Sequence, residues 1–550
     1  MQKTRNLYHV TFTRKLVLAL VLTFSTCDTS DAYCPVGCKC LREKLDCANL
    51  SFTTFPSNIT DPENFTTIIL SGNNLTEVLT ENFQFFKNVE TLDLSNNAIG
   101  SVQDGSFRSL VNLRLLDLSN NRLTSLPEKS FAGLANLTGI NLNHNALTEL
   151  KKSINSAPAL KRLQLAHNVI GDVTEDVFDE SNVIEEIDLS ENSLNDIPSK
   201  ALVKLPNLRT LVLSSNNLKV IEDCQIGLLR ALKNLKLRHN HIEWIGNHAF
   251  STQCVNNGGK LLFNSSTVGH SSLLQALDLS YNRLANISSK YLSPLEMLET
   301  LNLNANKFTT IKKGTFQNLS SIVSISLSFM PELKTLENGS FDTLPSLDSL
   351  YIHDCPSLAV LEPSVFNSIP NLKVLKISRN GMRTISRDLI TWNKDLYIDA
   401  TGNPFSCDCN LQWIPEVLED QATNNMTRQN LEKLTCTSPK HFEGKLIVAI
   451  ETNYLRCSPE RKTNHARLKT AAIAASVVIV IGILILVFVK FRNRICIFVK
   501  RQFRYKAHRD NRELFSVKLS EIIGENDADP YYEDPNMDLR LRSLVDTEVK

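Results

Sequence analysis

A leucine-spaced motif returns about every 24 residues over most of the chain, and it constrains the fold more than any other feature. The motif is L-x-x-L-x-L-x-x-N-x-L, where x is any residue and position 1 is the first leucine. Thirteen copies begin at Phe65, Val89, Leu113, Leu137, Leu160, Ile184, Leu208, Leu232, Leu274, Leu298, Ile322, Leu347 and Leu372, and a partial copy ends at residues 402–405. One copy cannot bury its apolar face alone, so the copies are expected to stack into a solenoid with one continuous core.

Each position of the repeat has a predicted role. Alternate residues of a strand face opposite sides, so the leucines at positions 4 and 6 face inward while positions 2, 3, 5, 7 and 8 line a concave face. Asn at position 9, as in Asn73 and Asn97, is expected to satisfy backbone groups where the chain turns inside the coil. Phe at position 19 or 20, as in Phe83 and Phe107, is expected to form a second row of the core.

Cysteine clusters flank the repeats on both sides. Cys34, Cys38, Cys40 and Cys47 precede the first copy, and Cys407, Cys409, Cys436 and Cys457 follow the last. The ends of a solenoid would otherwise expose its core, so these clusters are interpreted as caps. Zinc is not expected there, because no histidine lies at ligand spacing.

Two apolar segments indicate secretion and membrane anchoring. Residues 16–24 follow a basic stretch and are too short to span a bilayer, which is typical of a signal peptide; an uncleaved anchor is the alternative. Residues 470–489 form an uncharged run of the length that a transmembrane helix needs, and seven basic residues follow within residues 490–506.

Glycosylation sequons indicate the orientation in the membrane. Acceptor asparagines occur only before the second apolar segment, at Asn49, Asn58, Asn64, Asn74, Asn136, Asn264, Asn286, Asn318, Asn338 and Asn425. Such sites are useful only in the secretory lumen. The sequence therefore predicts a single-pass type I protein of the plasma membrane with its N-terminus outside.

The repeats together with both cysteine flanks and the apolar helix resemble the extracellular leucine-rich-repeat receptors, in a family similar to Slit, Toll ectodomains and Capricious/Tartan-type adhesion receptors. The resemblance covers about residues 34–457. It implies an α/β leucine-rich-repeat solenoid with a parallel β-sheet, and it implies the cap disulfides Cys34–Cys40, Cys38–Cys47, Cys407–Cys436 and Cys409–Cys457. Repeats of this kind identify a fold and not a ligand.

The predicted organisation combines these features. It comprises a signal peptide (1–32), an N-terminal cap (33–64), repeats (65–405), a C-terminal cap (406–458), a juxtamembrane stalk (459–469), a transmembrane helix (470–489) and a cytoplasmic tail (490–550).

One interval between repeats is too long, and it carries a cysteine. Residues 251–268 are rich in Gly, Asn and Ser and are interpreted as an inserted surface loop. Cys254 in this loop and Cys224 in the preceding repeat are predicted to form a disulfide, with two free thiols as the alternative. Cys355 stands at position 9, where Cys can replace Asn, and is predicted to be a small buried residue.

The tail contains two candidate modification sites. Its basic, apolar first part is expected to lie on the inner leaflet, which makes Cys496 a candidate for palmitoylation. Tyr531 and Tyr532 stand in an acidic run that is either a phosphotyrosine motif or a solvated acidic stretch. The rest of the tail is expected to be disordered.

No catalytic motif or cofactor site is found, so an enzyme is not expected. The sequence predicts a recognition or adhesion receptor for an extracellular or cell-surface protein, signalling if at all through recruited partners; homo- or heterodimers are both compatible with it. Alternatives are an innate-immune pattern receptor or co-receptor, and a structural or decoy protein. The 59 basic and 58 acidic residues nearly balance, and the sequence shows no continuous basic stripe. Binding to nucleic acid is therefore not expected.

Repeats five to eight are the predicted binding region. Repeat six presents Glu185, Glu186, Asp188 and Glu191 on the concave face, and repeat eight presents Lys233, Lys236, Arg238 and His239. No sequon falls between Asn136 and Asn264. We expect a protein ligand to bind here through complementary charge; a solvated polar sheet face is the alternative.

Overall fold

The structure is a computed structural model. It describes residues 34–180, 183–257, 260–266, 272–363, 365–392, 395–419, 425–451 and 453–455, together with residues 483, 486 and 491. The chain divides into two units, residues 1–457 and 458–550, and all of the repeats belong to the first. The predicted signal peptide, stalk, almost all of the membrane segment and the tail with Cys496, Tyr531 and Tyr532 lie outside the described residues. Within the described part, no helix combines the length and apolar character needed to cross a bilayer.

One sixteen-stranded sheet runs through the first unit. Fourteen of its strands come one from each repeat and the partial copy: Thr67–Ile69, Thr91–Asp93, Leu115–Asp117, Gly139–Asn141, Arg162–Gln164, Glu186–Asp188, Thr210–Val212, Asn234–Lys236, Ala276–Asp278, Thr300–Asn302, Ser324–Ser326, Ser349–Tyr351, Val374–Lys376 and Tyr397–Asp399. They are parallel and in register, each spanning positions 3 to 5 in the full repeats. The predicted parallel solenoid is therefore confirmed.

The sheet begins in the N-terminal cap. Strand Lys44–Asp46 pairs in parallel with the first repeat, and Lys39–Leu41 pairs with it antiparallel at the edge. Disulfides Cys34–Cys40 and Cys38–Cys47 hold this cap, and Cys407–Cys436 holds the C-terminal cap. Cys409 is also disulfide-bonded, and its expected partner Cys457 lies outside the described residues.

Short elements lie outside this sheet, on the other side of the solenoid and in the two caps. Parallel two-stranded ladders pair Glu77–Val78 with Ser101–Val102, Glu149–Leu150 with Asp172–Val173, Val220–Ile221 with Trp244–Ile245, and Thr310–Ile311 with Thr335–Leu336. Phe405–Ser406 pairs with Cys436–Ser438 in the C-terminal cap. The α-helices are Ser199–Leu202, Ser289–Leu292, Trp413–Glu419 and Asn425–Glu432. The 3₁₀ helices are Pro62–Asn64, Thr80–Asn82, Lys152–Ser156, Arg387–Leu389, Cys409–Leu411, Lys440–Phe442 and Ile447–Ala449.

The core follows the two predicted rows. The leucine or isoleucine at position 4 of every repeat is buried, because it is the inward residue of its strand. Neighbouring phenylalanine rings contact one another beneath the opposite side, with centroid distances of 5.9 Å for Phe83–Phe107 and 5.6 Å for Phe316–Phe341. No repeat could bury both rows alone, so stacking provides the stability.

The asparagines at position 9 form a hydrogen-bonded ladder between repeats. In Asn216, Nδ2 donates to the carbonyl oxygens of Leu189 (2.9 Å) and Leu213 (3.1 Å), and Oδ1 accepts from the backbone N–H of Leu194 (3.0 Å). These backbone groups lie inside the coil, where water could not satisfy them. Met330 and Cys355 interrupt the ladder in repeats eleven and twelve.

Cys355 is buried, as predicted, and is the free cysteine among the described residues. Its thiol lies 3.4 Å from the carbonyl oxygen of Leu327, which an asparagine Nδ2 would otherwise contact. Burial raises the pKa of Cys355 to about 11, so the thiol is neutral near pH 7 and is not a nucleophile.

Candidate protein-binding face

The sheet face is defined as the side chains at positions 2, 3, 5 and 8 of the thirteen repeats. Positions 3 and 5 lie within the strands, on the side away from the core, and are mostly half-exposed or exposed. Backbone pairing with both neighbouring strands fixes the row of each side chain, so this face is a rigid support for recognition.

Position 7 departs from the prediction that it lines this face. Ser95, Ser119, Ala166, Ser280, Ser328 and Ser378 are buried at this position. The physical reason is local: in Ser95, Ser119 and Ser280 the Asp at position 5 accepts the position-7 backbone N–H, at 2.8–2.9 Å, and folds the turn over a small residue. Ala166 and Ser328 donate this N–H to the position-7 Asn of the preceding repeat. Arg238 is an exception and is exposed.

This turn gives the acidic residue at position 5 a structural role. Oδ1 of Asp188 accepts both the backbone N–H of Ser190 at 2.9 Å and the hydroxyl of Ser190 at 2.6 Å. Asp93, Asp117 and Asp278 accept the matching backbone N–H in their own repeats. Part of the predicted acidic row therefore shapes the chain, and only the second carboxylate oxygen of Asp188 remains for a ligand.

The acidic residues of repeat six lie between basic neighbours. Glu185 forms an ion pair with Lys161 at 3.0 Å, and strand pairing places Glu186 beside Arg162. The hydrogen bond from Lys161, helped by Arg209 and Arg162, lowers the pKa of the Glu185 carboxyl below its usual value. Glu185 is thus already partly neutralised by the protein itself.

The basic residues of repeat eight are placed differently. Lys236, Arg238 and His239 are exposed and Lys233 is half-exposed. Among the described residues, none of the three cationic side chains Lys233, Lys236 and Arg238 forms an ion pair within 4.0 Å. They are the predicted binding residues whose charge remains available to a ligand.

Tyr281 of repeat nine joins this basic group. The guanidinium carbon of Arg238 lies 4.5 Å from the centroid of the Tyr281 ring, and the ring of His239 stacks on the same ring at 4.2 Å. The cation–π contact orders Arg238 without neutralising it. Sequence reasoning did not identify Tyr281 as a candidate.

The sequence does contain a signal for the turn that presents Tyr281. It lies at position 8, where the backbone adopts the left-handed conformation in every repeat. The φ angles include 55° at His144, 53° at Glu191, 55° at Tyr281, 54° at Ala305 and 58° at Phe329. The Asn and His residues that recur at this position could have revealed the turn, because they tolerate such angles better than most residues.

The insertion contains a β-hairpin on the side of the solenoid away from the sheet. Strands Cys254–Asn257 and Lys260–Phe263 pair antiparallel, and the predicted disulfide Cys224–Cys254 is present. The ring of Phe263 stacks on His248 at 3.7 Å. The hairpin is therefore attached away from the sheet, and it leaves the strand of repeat eight uncovered.

All ten sequon asparagines have exposed side chains, and none belongs to a strand of the sixteen-stranded sheet. They occupy the cap, the turns, the hairpin and the sides of the repeats. Within the residues that the structure describes, no group of three or more His, Cys, Asp or Glu side chains could hold a metal ion.

The comparisons with known proteins agree with the fold. The leucine-rich-repeat family profile matches residues 63–123, 112–170, 158–218, 182–242, 206–252 and 296–356, so the chain contains leucine-rich repeats. A curated relative, a phospholipase A2 inhibitor of Gloydius brevicaudus siniticus, is 28% identical over 87 residues. That match covers 15% of this chain and 24% of the inhibitor, so the chain spans about a quarter of that relative's length.

Three solved structures share the architecture. A leucine-rich-repeat protein of Leptospira interrogans has a TM-score of 0.55 at 23% identity, covering 72% of this chain and 92% of its own. The APL1 leucine-rich-repeat domain has a TM-score of 0.52 at 18% identity, with coverages of 69% and 91%. TLR13 in complex with ssRNA13 has a TM-score of 0.50 at 21% identity, with coverages of 70% and 60%. At these identities the likeness concerns the fold alone.

Proposed function

We propose that this chain is a non-enzymatic recognition or adhesion receptor that binds a protein ligand on repeats five to eight of the sheet face. The observation that carries the proposal is the exposed, unpaired basic group of Lys233, Lys236 and Arg238 on rigid strands. Unpaired like charges on a fixed scaffold are costly to keep together unless a partner of opposite charge uses them. Leucine-rich repeats generally act as scaffolds for protein interaction, which supports the proposal.

The distribution of sequons supports the same face. If the exposed sequons carry glycans, the sides of the solenoid are shielded while the whole sheet face stays bare. We further propose that the first unit is extracellular and that residues 470–489 anchor it as a type I plasma-membrane protein. An epitope tag placed after Lys550 is then inaccessible to antibody on intact cells; staining without permeabilisation contradicts this orientation.

Nucleic-acid recognition is less well supported, although the TLR13 structure contains single-stranded RNA. The charge of the sheet face changes sign between repeats six and eight, whereas a phosphate backbone requires continuous positive charge. The alternation fits a protein epitope that carries both signs.

A charge reversal tests the proposal. Lys233, Lys236 and Arg238 changed together to Glu should abolish aggregation of cells that display the chain, assayed with the protein on one or on both cell populations. The matched control changes Lys219, Lys290 and Lys312 to Glu, because these exposed lysines lie outside the strands of the sheet. Aggregation that survives the first triple variant at normal surface expression excludes this face as the binding site.

A further inference from the structure

Two large aromatic side chains project from position 8 of the sheet face. Tyr281 in repeat nine is 36% exposed and Phe329 in repeat eleven is 44% exposed. Both residues have left-handed backbones, with φ angles of 55° and 58°. A bulky L-residue is strained in this region, while Gly adopts it freely.

Core packing does not explain these two residues, and each ring contacts the histidine of a neighbouring repeat. Neither ring is buried, so neither recovers the backbone strain through core packing. The left-handed backbone recurs at position 8 of every repeat, so a large exposed ring, and not the turn itself, sets these two residues apart. Tyr in particular is enriched among the residues that dominate binding energy in protein interfaces.

The two rings flank a gap. Ala305 of repeat ten stands between them at position 8, and its side chain ends at Cβ. Adjacent strands lie about 4.8 Å apart, so the two aromatic rows are roughly 10 Å apart across this small residue. We call Tyr281, Ala305 and Phe329 the aromatic notch.

The floor beside the notch consists mainly of short polar side chains. A cavity of about 330 Å³ is lined by Thr300, Leu301, Asn302, Ser324, Ser326, Tyr351 and His353. The ring of His353 also contacts that of Phe329, at a centroid distance of 5.2 Å. A protein segment can therefore approach the strands closely here.

The two ends of the notch differ in charge. Arg238 and His239 lie against Tyr281, and the cationic group of repeat eight continues from there. At the other end Asp354 is neutralised by Arg379, with both guanidinium–carboxylate contacts at 2.7 Å. Asp278 and Glu299 are the acidic residues of the sheet face in repeats nine and ten, so the unpaired positive charge lies on the repeat-eight side of the notch.

We propose that the aromatic notch binds an apolar side chain of the protein ligand, with acidic residues of the same ligand segment on Lys236 and Arg238. An extended chain advances about 3.3 Å per residue, so the acidic and apolar residues are about three positions apart. This inference rests on the proposed function, because it describes the ligand of the same face.

The first test measures stability. Tyr281→Gly and Phe329→Gly in the full chain should leave the thermal unfolding temperature unchanged or raise it, because backbone strain is relieved. Phe316→Ala, which removes a buried ring, is the destabilising reference. A clear fall in the unfolding temperature for both glycine variants means that the rings serve packing, and it overturns the proposal.

The second test uses a phage-displayed library of random dodecapeptides, selected on cells that carry the full chain. Enriched peptides should contain a large apolar residue about three positions from Asp or Glu, and should lose at least tenfold in binding to the Tyr281→Gly, Phe329→Gly double variant. Tyr281→Phe and Phe329→Tyr keep a ring at each position and should retain binding. Absence of such peptides, or equal binding to the double variant, refutes the notch. The proposed function can still hold if the notch is refuted. It is then supported by a loss of cell aggregation when Lys233, Lys236 and Arg238 are changed to Glu.

Discussion

Ladder asparagines show at the scale of a residue how the repeat is held together. Each one joins two neighbouring repeats through backbone groups that would otherwise be buried without partners. The sequence predicted this role from spacing alone. It did not predict the left-handed position 8, since that depends on how the turn follows the strand.

Asn216→Ala removes the hydrogen bonds of this side chain and leaves the buried N–H of Leu194 without its partner, while the carbonyl oxygens of Leu189 and Leu213 keep bonds from Asn192 and Asn240. We expect the free energy of unfolding to fall by about 3 kcal/mol. Urea unfolding checks this, with Asn217→Ala as the control, because Asn217 is the exposed neighbour. Equal losses for the two variants would contradict the ladder's role.

Asp354 makes stability depend on pH. The hydrogen bond from Arg379 lowers the pKa of Asp354 from 3.8 to about 2. A carboxyl with a depressed folded-state pKa stabilises the fold fully above pH 3.8, and this contribution disappears as the pH falls toward 2.

Arg379→Gln should therefore destabilise the protein at about pH 5 and much less at about pH 2. Unfolding midpoints of the wild type and the variant at both values measure the effect. A difference that is the same at the two pH values would show that the ion pair is not its source.

Elements were predicted unevenly. The strands follow from the leucine register, because a shift of one residue would turn every buried leucine outward. The insertion was predicted only as a loop, since its Gly and Asn content indicates a turn while its two strands are too short to recognise. The structure shows that Val255 pairs with Leu262 in a hairpin.

The disulfide Cys224–Cys254 is expected to hold this hairpin in place. Changing both cysteines to Ala removes a covalent link across a sequence separation of 30 residues, which in the chain-entropy model is worth about 3.6 kcal/mol. Limited proteolysis should then cleave within residues 255–268 faster than in the wild type. Cys355→Ala, which removes a buried thiol elsewhere, is the control. Unchanged hairpin cleavage would show that packing of Phe263 on His248 suffices.

At the scale of the whole molecule, the solenoid leaves one broad surface that is rigid, charged and free of sequons. The sequence located this surface because the alternation of a strand assigns each side chain to a face. It missed Tyr281 and Phe329, since exposed aromatic residues follow no periodic pattern, and it overestimated Asp188, whose oxygen Oδ1 is used within its own repeat.

A glycan placed at the centre of the candidate site would block a ligand from the strands of repeats six to eight. Val212 lies in strand Thr210–Val212 between repeats six and eight, and Ser214 follows two residues later. Val212→Asn therefore creates a sequon, and Val212→Asn with Ser214→Ala is the matched variant that cannot be glycosylated.

Both variants should reach the cell surface, and only the first should gain a glycan, seen as a glycosidase-sensitive increase in mass. We expect the glycan to abolish cell aggregation, while the matched variant retains it. Full aggregation by chains that carry the glycan at residue 212 would contradict the claim that repeats five to eight of the sheet face bind the ligand.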